Sequence, residues 1–324
     1  MPVLPEPFPL LIVSASGRAL AQSASRMGLK AVVLDLFDDM DTRALADASQ
    51  SVAGRNARFD ARKLLAAAQA LSPPERCSGL VYGSGFEGRT RLLVRLARGR
   101  RLFGNAPETI AQVKDPLRFF AMLDSLDIAH PEFRLEAPPE VTGWLTKRSG
   151  GAGGSHVKPM RRRDRARPQR YFQKFQTGRT LSVLFLADGH NVRVIGFNEQ
   201  WCADVAQCAL YCYGGAVSGI PVTPALRACM AAAVEKLVRA TGLVGLNGLD
   251  FILDADDLPH VLEINPRPTA TIDLYDADFP AGLLALHLRA CHGELPQLLP
   301  SQHRSRAHAI VYAAENLVVP AGVK

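Results

Sequence analysis

The stretch that decides the fold is Leu249-Asp250-Phe251-Ile252-Leu253-Asp254-Ala255-Asp256-Asp257-Leu258-Pro259-His260-Val261-Leu262-Glu263-Ile264-Asn265-Pro266-Arg267. Two apolar runs flank a polar Asp/Pro turn, the pattern of a β-hairpin. A turn centred between Asp256 and Asp257 sets Asp250 opposite Glu263, with Cβ atoms roughly 5 Å apart. Like charges in that position destabilise a sheet unless something neutralises them. Asn265 lies two residues past Glu263 and shares its face. Two carboxylates and an amide oxygen make a hard-oxygen site suited to magnesium (or manganese in its place), with nucleotide phosphates completing the shell. Arg267 continues the alternation and can meet a phosphate or carboxylate bidentately.

Upstream, Trp144-Leu145-Thr146-Lys147-Arg148-Ser149-Gly150-Gly151-Ala152-Gly153-Gly154-Ser155-His156 delivers a lysine from a strand into a glycine-rich turn. Backbone N–H groups exposed by such a turn can cradle phosphate. No GK[ST] follows and no helix opens directly, so this is no Walker loop. It reads as a strand–loop–strand cover over a triphosphate.

The first hundred residues alternate short apolar strands (10–13, 31–35, 79–82) with helices (18–27, 59–71, 89–98), which implies a parallel sheet covered on both faces. Ligands of such sheets sit beyond the carboxyl ends of the strands, which places Ser14 to Arg18, Asp35 and Gly83 to Glu87 along one crevice. Gly83-Ser84-Gly85-Phe86-Glu87-Gly88 is a literal GxGxxG and supports a rival reading, an NAD-dependent oxidoreductase. It follows a later strand rather than the first, and Glu108, twenty residues on, is expected in a loop. These residues are better read as a substrate-facing loop, with Glu87 as a substrate contact. Beyond the cover, strands are expected at 171–175, 181–187 and 192–198, and an Ala-rich helix at 224–241. The middle strands offer Thr180, Ser182, Arg193, Asn198 and Gln200 to the cleft.

The 324 residues suffice for two or three domains, and 48% hydrophobic content supports a sizeable core. No apolar run of about 18 residues marks a membrane span, and the start lacks a signal-peptide pattern, so a cytoplasmic protein is expected. Six scattered cysteines are no disulfide framework; Cys202, Cys208 and Cys212 cluster, but not at zinc-like spacing. Of the +7 net charge, much sits in Arg161–Arg170, a solvated loop or a lid that draws in an anion. It lacks interleaved aromatics, so nucleic acid is not expected as a partner.

Taken in order, these blocks resemble the ATP-grasp family across nearly the whole chain. The amino-terminal pattern, with Ser16-Gly17-Arg18, Asp35-Leu36-Phe37 and Phe86-Glu87, resembles predicted carboligases related to biotin carboxylase and is also similar to tyramine–glutamate ligases of methanofuran synthesis. The resemblance implies an α/β chain. A Rossmann-like parallel α/β domain (1–104) would precede a two-subdomain α+β ATP-grasp module: a small subdomain with the phosphate loop (105–175), then a large one with the metal hairpin (176–324). It further implies that Asp250, Glu263 and Asn265 bind magnesium and that Arg267 stabilises transferred phosphate. Lys147 and Lys114 would contact ATP, with Ser149, Gly150, Gly151, Gly153, Gly154 and Ser155 as the phosphate loop. Gln173, Lys174 and Phe175 would form the hinge that reads adenine, although the family usually has acids where this chain has Gln173 and Gln176. The activity implied is carboxylate–amine ligation through an acyl phosphate, on a small anionic or amino-acid substrate in cofactor biosynthesis. A non-catalytic nucleotide-binding protein is the alternative. Substrate contacts would be Glu87, Ser182, Arg193 and Asn198, and a homodimer is the default assembly.

Overall fold

The computed structural model describes residues 8–205, 209–300, 304–313 and 315; Cys208 lies outside them. In chain order the first unit runs β1 (Leu10–Val13), α1 (Arg18–Arg26), β2 (Ala31–Asp35), α2 (Met40–Leu45), β3 (Ala48–Ser51), α3 (Ala61–Leu71), β4 (Gly79–Tyr82), α4 (Thr90–Leu96) and β5 (Leu102–Phe103). Its five strands pair in parallel in the order β3-β2-β1-β4-β5. β1, β2 and β4 are buried throughout, as expected for strands covered on both faces. Helix α3 begins two residues later than its apolar pattern suggests, because the Asp60 carboxylate caps it by accepting the amides of Arg62 and Lys63.

Next come α5 (Pro107–Lys114) and α6 (Pro116–Ser125), then β6 (Phe133–Arg134), β7 (Trp144–Arg148), β8 (Lys158–Pro159) and β9 (Arg170–Lys174). Glu108, expected in a loop, lies in the first turn of α5 behind Pro107, where a proline costs no hydrogen bond. The four strands form one sheet in the order β6-β9-β7-β8.

The third sheet contains β10 (Arg179–Asp188), β11 (Val192–Cys202), β12 (Tyr213–Ser218), β13 (Val244–Leu253), β14 (Pro259–Asn265) and β15 (Ala307–Ala309). Helix α7 (Pro224–Thr241) comes between β12 and β13, and α8 (Gly282–Ala290) between β14 and β15. The strand order is β14-β13-β10-β11-β12-β15, with every pairing antiparallel. Alternation splits its faces. Leu181, Val183, Phe185, Leu249, Phe251 and Leu253 point into a core shared with α6 and α7. Leu184, Leu186 and Leu246 point the other way, into a core shared with α1, α8 and β1. The first unit therefore packs on the second face of this sheet. Polar residues on that face, where apolar packing stops, must line a cleft between the two.

Among the described residues no helix is long and apolar enough to cross a membrane. Cys77, Cys202, Cys212, Cys229 and Cys291 are free thiols.

Candidate active site

One lateral row of polar side chains crosses the third sheet. Ser218 pairs with Asn198, Asn198 with Ser182, Ser182 with Asp250, and Asp250 with Glu263. Residues directly opposite on antiparallel strands share a face, so five strands present one row to the cleft. Ser218, Asn198 and Ser182 are buried. The Asn198 amide donates to the Ser182 hydroxyl at 3.3 Å, and the Tyr275 hydroxyl donates to Asn198 Oδ1 at 2.7 Å.

The pairing of Asp250 with Glu263 arises differently from the expectation. The hairpin turn centres on Asp256, not between Asp256 and Asp257: Leu253 faces Pro259 and Phe251 faces Val261. Asp257 takes φ 59°, and Asp254 clamps the turn by accepting the amides of Asp256 and Leu258. A bulge between Phe251 and Asp250 then leaves Leu262 as the extra residue of β14. Bulges re-aim the strand beside a functional site. The two one-residue offsets cancel, and the acids meet.

These acids are compensated by an unusual density of cations and amides. Lys114, at the end of α5, reaches Glu263 Oε2 at 2.9 Å and Asn265 Oδ1 at 3.2 Å. Asp250 accepts from Asn265 Nδ2 at 2.8 Å and from Gln200 Nε2 at 3.1 Å. Burial and the neighbouring Glu263 charge push the Asp250 carboxyl up. Burial also works against the Glu263 carboxylate, but the ammonium groups of Lys114 and Lys147 outweigh it and hold that carboxyl well below its usual range. A hard divalent cation fits this donor set: an ionised carboxylate, a second whose proton is readily displaced, and an amide oxygen already facing a cation, the Lys114 ammonium. Among the described residues no group of three or more His, Cys, Asp or Glu is set to hold a metal; this site combines two acids with an amide.

Arg267 is buried beside the hairpin. Its Nε donates to Glu87 Oε1 and its Nη2 to Asn265 Oδ1 at 3.4 Å. Burial raises the Glu87 carboxyl, yet Arg267 and Lys114 outweigh it and keep the group ionised below its ordinary range. Glu87 thus orients a guanidinium as well as facing the cleft. On the opposite wall, Lys147 is 8% exposed and donates to Gln173 Oε1 at 2.9 Å. Burial depresses its pKa, against the pull of Glu263 and Asp250. The expected hinge glutamine is therefore a partner of the phosphate-side lysine, and its Nε2 is buried without a hydrogen bond. So is Nδ1 of His156, which burial pushes down to about 4 and leaves neutral. Buried polar atoms without partners are rare and call for a ligand or water. The amides of Lys174 and Phe175 bond to Glu132 O and Gly143 O; a backbone donor at this hinge must come from Gln176 onward.

The glycine loop is held over the cleft by two backbone approaches. Gly150, at φ +67°, lies so near Gly88 that a Cβ would come within 2.5 Å of its Cα. At Gly154, φ +72°, a Cβ would fall 1.6 Å from Tyr211 O. Ser149 Oγ donates to Lys114 O at 2.7 Å, and the Tyr213 amide bonds Gly153 O at 3.1 Å. Gly151 packs on the His156 ring, and Ser155 is exposed in the same turn. Gly88, the last glycine of the GxGxxG stretch, thus packs its backbone against that of Gly150.

Two expected residues lie elsewhere. Arg193 is exposed at the far end of β11, paired with Leu186, and donates to Pro296 O at 3.0 Å; it shares the face of the Asn198 row but lies beyond the end of the cleft. Asp35 is fully buried and accepts the amides of Gly17, Phe37 and Asp38, so it fixes the turn after β2 and does not face the crevice. Conversely, Tyr213, Tyr275, Asp273 and His308 belong to the cleft but come from segments with no period or motif to announce them. The Arg161–Arg170 loop is exposed and is braced by Asp164, which accepts from Thr146 Oγ1 and the Arg161 amide.

Residues 113–271 match the family model of an ATP-grasp domain. The fold resembles an N5-carboxyaminoimidazole ribonucleotide synthetase solved with ADP, at 16% identity and a TM-score of 0.69, covering 93% of this chain and 80% of that one. It also resembles biotin carboxylase from Campylobacter jejuni solved with an ATP analogue (16%, TM-score 0.68, covering 90% and 72%). The synthetase from Thermotoga maritima is similar too (18%, TM-score 0.65, covering 93% and 79%).

Proposed function

This chain is an ATP-grasp enzyme, and from that premise we propose that it joins a small carboxylate to an amine, converting ATP to ADP and phosphate. The observation that carries the reading is the convergence on one polar row of Asp250, Glu263, Asn265, Lys114 and Arg267, under a glycine loop. Asp250, Glu263 and Asn265 would hold magnesium, which when bound supplies charge neutralisation at the nucleotide phosphates.

The chain's own groups do the rest. A substrate carboxylate oxygen takes the γ-phosphoryl group and ADP leaves. The amine then attacks the acyl carbon, phosphate departs and the amine loses a proton. Arg267, fixed by Glu87, stabilises negative charge developing on the phosphoryl oxygens. Lys147, whose pKa burial lowers against the pull of Glu263 and Asp250, faces the same phosphates across the cleft. The loop from Ser149 to Ser155 excludes water that would hydrolyse the acyl phosphate. Gln200, half-buried, is on the substrate side of the row, while Ser182 and Asn198 are buried beneath it and bonded to each other, Asn198 also to Tyr275.

Two of the relatives named above are solved with ADP or an ATP analogue, which supports the nucleotide half of this reading. The test is a screen of acid–amine pairs for ADP release, followed by the reactive acid labelled with heavy oxygen in its carboxylate. One labelled oxygen in the released phosphate supports the acyl phosphate. Label retained wholly in the product sinks it.

A further inference from the structure

Three ion pairs tie the turn after the metal hairpin, residues 270–278, to the rest of the molecule, and they are not alike. Arg26 meets Asp276 at 2.9 Å, and that carboxylate is buried and also accepts the Ser23 hydroxyl and the Leu283 amide. Arg306 grips Asp278 through two bonds of 2.7 and 2.6 Å. Both are braces. The third, Arg18 with Asp273, is a single hydrogen-bond contact between two part-exposed side chains, and among the described residues no other bond holds the Asp273 carboxylate. Arg18 adds only a long 3.4 Å contact to Gln22.

Its position is what distinguishes it. Arg18 is the first residue of α1, directly beyond the carboxyl end of β1, where parallel sheets bind ligands. Asp273 stands six residues past Arg267. Beside this pair stands Tyr213, whose hydroxyl is 2.7 Å from His308 Nε2; the strands that carry the two residues, β12 and β15, both pack on the turn that holds Asp273. Burial raises the Tyr213 phenol, and the charges of Asp250 and Asp273 both add to that shift. His308 in turn feels both Asp273 and Arg18, and its Nδ1 is buried without a partner. Two bonded pairs, Tyr213 with His308 and Arg18 with Asp273, thus adjoin around the 270–274 turn.

We propose that Arg18 and Asp273 are the head-group subsite for a free α-amino acid that is one of the two reactants and reacts through its side chain: the guanidinium takes its α-carboxylate and the Asp273 carboxylate takes its α-ammonium. The proposal rests on the ligase reading and names the class of one substrate. The selectivity follows from charge balance. A part-buried ion pair broken by a singly charged ligand leaves the other member uncompensated, which is costly. A zwitterion replaces both partners at once and leaves neither charge stranded. The Arg18 fork suits a carboxylate bidentately, and Tyr213 and His308 adjoin the subsite.

The test uses the full chain with magnesium and ADP present throughout. Thermal unfolding is followed with each common L-amino acid at millimolar concentration, and any that stabilises is titrated. At least one should bind. Its N-acetyl and carboxamide derivatives should each bind at least tenfold more weakly to the wild-type chain, a comparison that needs no variant. Asp273→Asn and Arg18→Gln should show a similar loss while keeping the stabilisation by magnesium-ADP. Binding of magnesium-ADP but of no amino acid overturns the subsite alone, as does equal binding of the blocked derivatives or undiminished binding by folded variants. A wild-type chain stabilised by neither overturns the ligase reading as well.

Discussion

The acidic hairpin and the glycine loop form opposite walls of the same cleft, yet they are built on different principles. Asp250, Glu263 and Asn265 belong to β13 and β14, inside a six-stranded sheet whose register fixes every neighbour. Ser149 to Ser155 hang between β7 and the two-residue β8, tied down by close backbone approaches to Gly88 and Tyr211. The hairpin sets charges with sheet-like precision and stores an electrostatic cost in doing so. The loop stores little and is positioned by fit. Chemistry that needs a fixed cation site and a removable cover is served by this division.

The largest expected effects lie where charges meet the transferred group. Glu263→Gln, Arg267→Ala and Lys147→Ala should each lower turnover by about 10²–10³-fold, measured as ADP release with the screened substrates. Near-normal turnover of Glu263→Gln at saturating magnesium would remove the metal role from the hairpin. Next is the cover. Gly154→Ala drives a Cβ into Tyr211 O from a left-handed backbone and should cost up to about 10²-fold in kcat/KM for ATP, with the fold retained by circular dichroism. If kinetics are unchanged, the loop is not held against Tyr211 during catalysis.

The electrostatic cost of the hairpin gives a third test, in which stability and function should part. The Asp250 carboxyl is raised to about 6 in the folded chain. Its ionisation therefore opposes folding, and stability from this group falls as pH rises from its ordinary value through about 6. Glu263 has the opposite sign: its depressed value gives stability that is lost as pH falls below the ordinary carboxylate range. Asp250→Asn should thus raise Tm at neutral pH by a few degrees while weakening magnesium-dependent ATP binding, which in the wild type should itself weaken below about pH 6 as protons compete for Asp250. A lower Tm for Asp250→Asn would show that the acid is not the strained partner. The smallest effect belongs to Arg193→Ala. The residue is exposed and remote, so turnover should stay within about twofold and stability within about 0.5 kcal/mol.

The same contrast explains what could be read from the residues alone. The hairpin announced itself because strand alternation converts spacing into neighbourhood, so the spacing of Asp250, Glu263, Asn265 and Arg267 was enough to place them on one face. Even there, the turn at Asp256 and the bulge at Leu262 were invisible, and the pairing came out right because two shifts cancelled. Arg193 failed for a different reason: the β11 bulge returns it to the face of the Asn198 row, paired with Leu186, but at the far end of the strand, beyond the cleft. Asp35 failed because its three backbone partners are set by a turn, not by a period. Helix α5 was missed behind Pro107, and β12, Tyr213-Gly214-Gly215-Ala216-Val217-Ser218, reads as a loop until β11 and β15 pair with it. Asp273, Tyr213 and His308 reach the cleft only through tertiary packing, which no local pattern encodes.

The most direct test is calorimetric titration of ATP into the chain with magnesium, ATP with EDTA, and NAD, repeated for Glu263→Gln. Magnesium-dependent ATP binding that Glu263→Gln weakens at least tenfold, with no binding of NAD, is the expected result. Equal ATP affinity in EDTA and magnesium, or binding of NAD alone, would contradict the assignment of the hairpin as the metal-nucleotide site.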